Sequence, residues 1–248
     1  MESENIRLSV IIPAFNEEKR LPRTLAHVVA YLEKQDFYSE IIVVDDGSTD
    51  EGYDRIKSLP GVTILRHRHN LGKGEALRTG MLKAAELADW AVCLDADGQH
   101  DPDDIAHLIS AIPQGSRPIV LGKRVIGMEN APWTSRFGRR FSNFWVWVSG
   151  GVRLADSQSG FRIYPLPEVL SLGVHAGRYQ FEIEVLAKAA WQAMPILEVP
   201  VKVSYAPGAC RISHFDPWKD FLRNSQTFCR LIVRRVFTPR LWRVSSRF

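Results

Sequence analysis

The chain has 248 residues, 45% of them hydrophobic, which predicts one large globular domain, with or without a tail, and ample material for a core. The formal net charge of +4 is concentrated in residues 217–248, which hold eight Lys or Arg and one Asp, so the rest of the chain is at −3 and a nucleic-acid-binding body is disfavoured. Cys93, Cys210 and Cys229 have neither a disulfide framework nor CxxC spacing, which argues against structural zinc and for a reducing compartment.

Apolar runs alternate with segments of helical periodicity through the first half of the chain, an order typical of βαβ units around a mainly parallel sheet. The predicted strands are 8–14, 41–45, 62–66, 90–95 and 119–122, and the predicted helices are 21–35, 53–58, 74–87 and 102–112. The N-terminus does not resemble a signal peptide, and no apolar run approaches the roughly 20 residues that a membrane span needs.

The second half of the chain is predicted to hold two amphipathic helices. Large apolar residues recur at three- and four-residue steps in 132–149, which precede a helix-like 179–193 and an alternating strand at 196–205. In 217–237 an apolar face is bordered by basic residues, as in a helix at a membrane interface; the alternative is a helix packed on the main domain or on a second subunit. We therefore divide the chain into a main domain, residues 1–210, and a basic amphipathic tail, residues 211–248.

Polar clusters follow four of the predicted strands. They lie at 13–18, 45–50, 70–74 and 95–99. Because ligands of parallel sheets bind beyond the carboxyl ends of the strands, we expect the clusters to converge on one edge. Asp95, Asp97 and Gln99 put two carboxylates and an amide oxygen at the exit of a short buried strand. Such hard oxygen ligands suit Mg²⁺ or Mn²⁺, which bridges to substrate phosphates, so the sequence predicts a metal-and-diphosphate site.

These motifs, in this order, resemble glycosyltransferase family 2, the inverting nucleotide-sugar enzymes with a GT-A fold. The resemblance covers roughly residues 6–205, and within the family the chain is most similar to the polyprenol-phosphate (dolichyl-phosphate) mannose and glucose synthases. That closer likeness rests on 97–100, 156–162 and 181–184. It implies an α/β GT-A fold, a Rossmann-like mainly parallel sheet flanked by helices, with residues 1–210 as the catalytic domain. The QxxRW motif of the processive polysaccharide synthases is absent, which points to transfer of one sugar.

The resemblance also implies a set of residues around the nucleotide sugar. The nucleobase and ribose would lie against Pro13, Phe15, Glu17, Asp45 and Asp46. For the two aspartates the alternative is a capped turn, and for Phe15 it is plain packing. Asp97, with Gln99, would bind the divalent metal, and Asp95 would contact ribose or support the metal shell. Lys73 and backbone N–H groups of the 70–74 loop would face phosphate; the alternative is a strand-to-helix turn with a solvated lysine.

For the acceptor, the resemblance points to the pattern DxxSGxR at 156–162, which lies over the donor sugar and the incoming phosphate in the similar synthases. Arg162 would grip phosphate bidentately, the alternative being a surface ion pair. Glu184, Arg211 and His214 are further candidates for the acceptor phosphate, with an exposed helical charge as the alternative for Glu184. A phosphomonoester, whose second pKa is roughly 6, arrives as an oxyanion and needs no base, whereas a hydroxyl acceptor would need one, for which Asp156 is the candidate.

The predicted activity is therefore metal-dependent, inverting, non-processive transfer of one hexose from GDP-mannose or UDP-glucose to a polyprenyl phosphate. We expect the protein to be cytoplasmic and peripheral on the cytoplasmic face of the membrane, bound to the membrane surface or to a membrane-protein subunit, without a nucleic-acid partner. Three alternatives stay open: a glycosyltransferase for a soluble hydroxyl acceptor, a DxDG phosphatase, and a non-catalytic sugar-nucleotide sensor.

Overall fold

A seven-stranded sheet forms the centre of the protein, whose computed structural model describes residues 6–126, 133–204 and 217–237. The strands are β1 (Arg7–Ala14), β2 (Tyr38–Asp45), β3 (Val62–Arg66), β4 (Trp90–Cys93), β5 (Ile119–Ile126), β6 (Arg162–Pro165) and β7 (Ile196–Lys202). Their order is β3-β2-β1-β4-β6-β5-β7, and β6 runs antiparallel to both neighbours while the other pairs are parallel. The predicted α/β fold with a mainly parallel sheet is confirmed.

Helices cover both faces of the sheet. They are α1 (Leu21–Leu32), α2 (Gly52–Ile56), α3 (Lys73–Ala84), α4 (Asp104–Ser110), α5 (Trp133–Gly150), α6 (Glu168–Ser171), α7 (Gln180–Trp191) and α8 (Pro217–Phe237). Successive residues of β1 point to opposite faces, so Val10 and Ile12 pack under α1 and α4 while Ile11 packs under α3 and α7. Burial on both faces explains why the parallel strands read as unbroken apolar runs in the sequence.

Two short elements were not predicted. The four residues of β6 begin with Arg162 and end with Pro165, a composition that gives no strand signal by itself. They form a strand because β4 and β5 pair with them from either side. The four-residue α6 is likewise too short to carry a helical period.

The C-terminal helix α8 packs against the main domain. Phe228 and Leu231 are buried in the core on the α3 and α7 side of the sheet, and Arg230 forms an ion pair of 2.7 Å with Glu184 of α7. Another part of α8 is exposed, notably Val236 and Phe237. The predicted boundary at residues 210 and 211 lies outside the described residues, so that division stays a prediction. Within the described ranges, none of the helices combines the length and apolar character of a membrane span.

Candidate functional site

The candidate site lies where the strand order of the sheet reverses. From β1 the chain continues outward to β2 and β3 on one side and later adds β4 on the other side. The carboxyl ends of these four parallel strands therefore share one edge, and a crevice at such a reversal is the usual ligand site of an open α/β sheet. The four polar clusters predicted from the sequence follow these strand ends.

The loops after β1 and β2 are tied together by side-chain hydrogen bonds. Asn16 N donates to Ser48 Oγ at 2.9 Å, and Asn16 Oδ1 accepts from Thr49 N at 2.9 Å. Asn16 has a φ of +54°, a left-handed conformation that asparagine tolerates better than most residues. Neither Asn16 nor Ser48 was singled out in the sequence, although both stand inside the motifs; their role is to join the two loops.

Pro13, Phe15 and Glu17, the residues predicted to line a nucleobase pocket, lie on the β1 side of this double loop. Pro13 is buried in β1, while Phe15 and Glu17 are half-buried. Glu17 accepts two hydrogen bonds from the Arg20 guanidinium, at 2.6 Å from Nε and 2.9 Å from Nη2. Burial raises the pKa of Glu17, and the Arg20 charge opposes that rise.

The carboxylate of Asp46 organises the neighbouring loop, which corrects the predicted nucleobase contact. It accepts hydrogen bonds from Leu71 N at 2.9 Å, Gly72 N at 2.7 Å and His67 Nδ1 at 2.7 Å, and it is buried. Asp45 is also buried, with Oδ1 accepting from Ser48 N at 3.0 Å.

Backbone donors of the 70–74 loop were predicted to face phosphate, and this expectation is wrong for two of them, Leu71 N and Gly72 N. Leu71 N and Gly72 N donate to Asp46, and Glu75 N in the first turn of α3 donates to Gly177 O at 3.0 Å. Because these N–H groups already have protein acceptors, they cannot bind a phosphate without breaking the loop.

The turn after β4 moves Asp97 out of the strand. Gln99 N donates to Asp97 Oδ1 at 3.0 Å, Gly98 has a φ of +70°, and Thr24 Oγ1 of α1 donates to Ala96 O at 3.0 Å. Asp97 is only half-buried, and its pKa is raised by burial and by the nearby charge of Asp95. A carboxylate whose proton affinity is raised by a like charge is a favourable position for a cation.

Lys73 joins Asp95 to α7. Its ammonium lies 2.6 Å from Asp95 Oδ1 and 3.0 Å from Glu182 Oε1. Burial alone would lower the pKa of Lys73, but the two carboxylates outweigh it and raise the pKa; burial would raise the pKa of Asp95, but Lys73 outweighs it and lowers the pKa. The solvated lysine of the alternative interpretation is therefore not observed. A Cβ at Gly160 would overlap Asp95 Oδ2 and lie 2.7 Å from Lys73 Nζ, so a larger residue here would have to displace the ion pair.

Arg162 is not a phosphate ligand in this structure, nor does it form a surface ion pair. Its side chain is fully buried, and its guanidinium donates to Ser159 O at 2.6 Å, Ser157 O at 2.8 Å and Glu182 O at 3.0 Å. Four of its five N–H groups have partners once the contact of 3.3 Å with the Tyr164 hydroxyl is included. The predicted catalytic role is therefore replaced by a structural one, which is to fix the backbone of the 157–159 loop.

Asp156 is likewise unsuited to the predicted role of a base. It is fully buried and accepts from Arg124 Nε at 2.7 Å and Arg124 Nη2 at 2.8 Å. Because the guanidinium occupies both carboxylate oxygens, neither is placed to accept a proton from an acceptor hydroxyl. Arg139 lies 4.0 Å from the same carboxylate and donates to Arg124 O at 3.3 Å. Arg124 was missed because a single Lys-Arg pair at a strand end carries no motif.

Glu184 faces α8 and not the candidate site, which corrects both interpretations of this residue. It is buried and pairs with Lys188 at 2.9 Å and with Arg230 at 2.7 Å. Glu182, two residues earlier on α7, is the glutamate that reaches Lys73. The two other candidates for the acceptor phosphate, Arg211 and His214, lie outside the described residues.

Comparison with known proteins identifies the family of the chain. The sequence profile described as Glycosyl transferase family 2 matches residues 9–164. The UDP-N-acetylglucosamine–dolichyl-phosphate N-acetylglucosaminyltransferase of Methanococcus voltae is 38% identical over 218 residues, which cover 79% of this chain and 85% of that protein. The dolichyl-phosphate beta-glucosyltransferase of Drosophila melanogaster is 31% identical, with 99% of this chain and 79% of that protein covered.

The fold also matches a solved structure. Glucosyl-3-phosphoglycerate synthase from Mycobacterium tuberculosis, crystallised with Mn²⁺, UDP and glucosyl-3-phosphoglycerate, superposes with a TM-score of 0.66 over 95% of this chain and 81% of that one. At 22% identity this likeness supports the GT-A fold alone. The family profile covers more than half of the chain, and the two relatives agree with the predicted likeness to polyprenol-phosphate sugar synthases. The chain belongs to glycosyl transferase family 2 and is a glycosyltransferase.

Proposed function

We propose that the protein transfers one sugar from a nucleotide-diphosphate sugar to a polyprenyl phosphate, with inversion and without processive elongation. The observation that supports this proposal most strongly is that the acidic side chains around the site form ion pairs with cationic side chains of the protein. Of the predicted donors, UDP-glucose is supported more than GDP-mannose, because the two relatives named above are a UDP-N-acetylglucosamine enzyme and a glucosyltransferase. For the same reason UDP-N-acetylglucosamine joins the candidates.

The acidic side chains favour a phosphate acceptor over a hydroxyl. Asp95 and Glu182 share the Lys73 ammonium, and Asp156 is held by Arg124. A carboxylate occupied by an ammonium or a guanidinium is poorly placed to accept a proton, and a hydroxyl acceptor needs a base to remove its proton in the transition state. A phosphomonoester already carries the attacking oxyanion at neutral pH. The site is therefore better arranged to bring two anions together than to deprotonate an alcohol.

A divalent ion fits the turn after β4. Asp97 and Gln99 would hold Mg²⁺ or Mn²⁺, because Asp97 is a half-buried carboxylate at the end of the turn, with Oδ1 accepting a hydrogen bond from Gln99 N. In the described ranges no group of three or more His, Cys, Asp or Glu side chains is placed to hold an ion. One carboxylate and one amide oxygen from the protein suit an ion whose remaining ligands are diphosphate oxygens and water. When bound, the ion would stabilise the negative charge of the departing nucleoside diphosphate.

Arg124 and Arg139 replace Arg162 as our candidates for the acceptor phosphate. Their side chains are 17% and 23% exposed, whereas Arg162 is fully enclosed. The Arg124 charge also acts on the pKa of both Asp95 and His100, which places it close to the turn after β4. Two guanidinium groups at that point would attract the anionic acceptor and offset its repulsion from the diphosphate.

Exposed apolar side chains on α5 and α8 support docking at the cytoplasmic face of a membrane. Phe137, Phe144 and Trp147 of α5 are 61%, 51% and 40% exposed, and Val236 and Phe237 end α8 at 69% and 79%. Aromatic side chains next to a basic segment are typical of helices that lie at a lipid interface. The net +7 of residues 217–248 would add about 1 kcal/mol per basic residue near an anionic leaflet.

The proposed activity is tested by incubating the protein with undecaprenyl phosphate, Mn²⁺ and radiolabelled UDP-glucose, UDP-N-acetylglucosamine or GDP-mannose in separate reactions. We expect one labelled lipid product carrying one sugar, recovered in the organic phase and cleaved by mild acid. The matched control replaces the lipid phosphate with buffer and measures hydrolysis of the donor. If none of the donors gives a labelled lipid, the acceptor assignment is wrong.

The metal assignment predicts that Asp97→Asn lowers kcat by about 100-fold or more, because the substitution keeps the side-chain shape and removes the charge that holds the ion. The rate is measured at saturating donor and acceptor across a range of Mn²⁺ concentrations. Asp101→Asn is the matched control, since Asp101 is exposed and accepts an equivalent hydrogen bond from Asp103 N at 3.1 Å. Wild-type turnover by a folded Asp97→Asn variant would refute the assignment.

Membrane docking predicts that the protein sediments with vesicles containing anionic phospholipid and is released by high salt. The double variant Phe144→Ser, Phe237→Ser should lower the bound fraction about tenfold or more, because two exposed aromatic groups no longer enter the interface. Leu87→Ser is the control, since Leu87 is likewise exposed, at 46%, but lies between α3 and β4, outside the two helices of the proposed docking surface. Binding only to membranes that contain protein would favour a membrane-protein subunit instead.

A further inference from the structure

The ion-pair cluster around Lys73 has a member that the proposed reaction does not use. Glu182 lies in the first turn of α7, is buried, and contacts Lys73 Nζ at 3.0 Å, the same ammonium that Asp95 contacts at 2.6 Å. Its backbone carbonyl accepts from Arg162 Nη1 at 3.0 Å. The Glu182 carboxylate is therefore buried on a residue whose backbone is held by a buried guanidinium, and this fixes the position of its charge.

The ammonium itself has little room to move. Gly160 lies against Lys73 Nζ and Asp95 Oδ2, so closely that a methyl group there would overlap the aspartate oxygen. Lys73 is the first residue of α3, and its side chain is 18% exposed. One ammonium therefore bridges Glu182 and Asp95, and residues from three separate chain segments fix its position.

This cluster acts on the neighbouring Asp97. Asp97 follows Asp95 by two residues in the turn after β4, and Asp95 Oδ1 lies 2.6 Å from Lys73 Nζ. A cation beside Asp97 would be attracted by Asp95 and Glu182 and repelled by Lys73. In a partly buried site these interactions are weakly screened, so each charge has a measurable effect on ion binding.

We propose that Glu182 is a positioning residue for metal binding: it holds the Lys73 ammonium between itself and Asp95, and the charge balance of these three groups sets the divalent-ion affinity at Asp97. This inference rests on the proposed metal-dependent transfer. Glu182 has no contact with substrate in the proposal. Its effect on the reaction passes through Lys73 and Asp95.

The test compares Glu182→Gln with Glu182→Asp in Mn²⁺ titrations of the full chain, with free Mn²⁺ followed by electron paramagnetic resonance. Gln keeps an oxygen that accepts from Lys73 but removes the negative charge, so we expect the Mn²⁺ dissociation constant to rise about tenfold. The Glu182→Asp variant keeps the charge on a shorter side chain, so its Mn²⁺ dissociation constant should stay within about threefold of wild type. Equal shifts for the two variants would mean that the shape of Glu182 matters and not its charge, which would overturn the inference.

A second variant tests the opposite sign. Lys73→Met removes the repelling cation and should lower the Mn²⁺ dissociation constant, whereas a merely structural lysine would leave it unchanged or raise it. If Lys73→Met does not fold, the comparison of Glu182→Gln with Glu182→Asp decides the question alone.

Each titration is repeated with UDP. Wild-type protein that binds no Mn²⁺ even with UDP would contradict the metal-dependent function. Normal wild-type binding with unshifted variants would contradict only the role of Glu182.

Discussion

One ammonium group holds together the parts of this protein that meet at the carboxyl edge of the sheet. Lys73 begins α3, and its contacts reach the turn after β4 through Asp95 and the first turn of α7 through Glu182. Removing one partner of a buried ion pair costs about 3–5 kcal/mol, because the remaining charge is left uncompensated. The positions of α3, α7 and the turn after β4 are therefore interdependent, and the half-buried Asp97 beside them is placed by that arrangement.

Several charged residues that look functional in the sequence are used to build this edge. Asp46 gathers the N–H groups of Leu71 and Gly72, Arg162 fixes the loop at 157–159, and Glu184 attaches α8. Buried charges need partners, and in each case the partner is supplied by the protein. The internal use of these residues leaves Asp97 and the partly exposed Arg124 and Arg139 as the groups best placed to meet a charged substrate.

The fold and the convergence of four polar loops on one edge of the sheet could be predicted from the sequence, since strand periodicity and the order of the loops depend on local pattern. The roles of individual charged residues could not. Arg162 stands in a motif with serines, and only the folded loop reveals that its N–H groups point to backbone carbonyls. Glu182 and Glu184 could not be distinguished, because residues 180–189 of α7 are all buried and the helix shows no polar face to orient it. The strand β6 is fixed by its neighbours and not by its own four residues.

The central claim is that the acceptor brings its own negative charge, because the carboxylates near it are paired with Lys73 and Arg124. The most direct measurement is a competition between a polyprenyl phosphate and the polyprenol of the same chain length, with the donor that the protein uses. The account predicts transfer to the phosphate and none to the alcohol at any pH between about 6 and 9, since the acceptor's second pKa is about 6. Comparable transfer to the alcohol, increasing with the ionisation of a group on the enzyme, would contradict it.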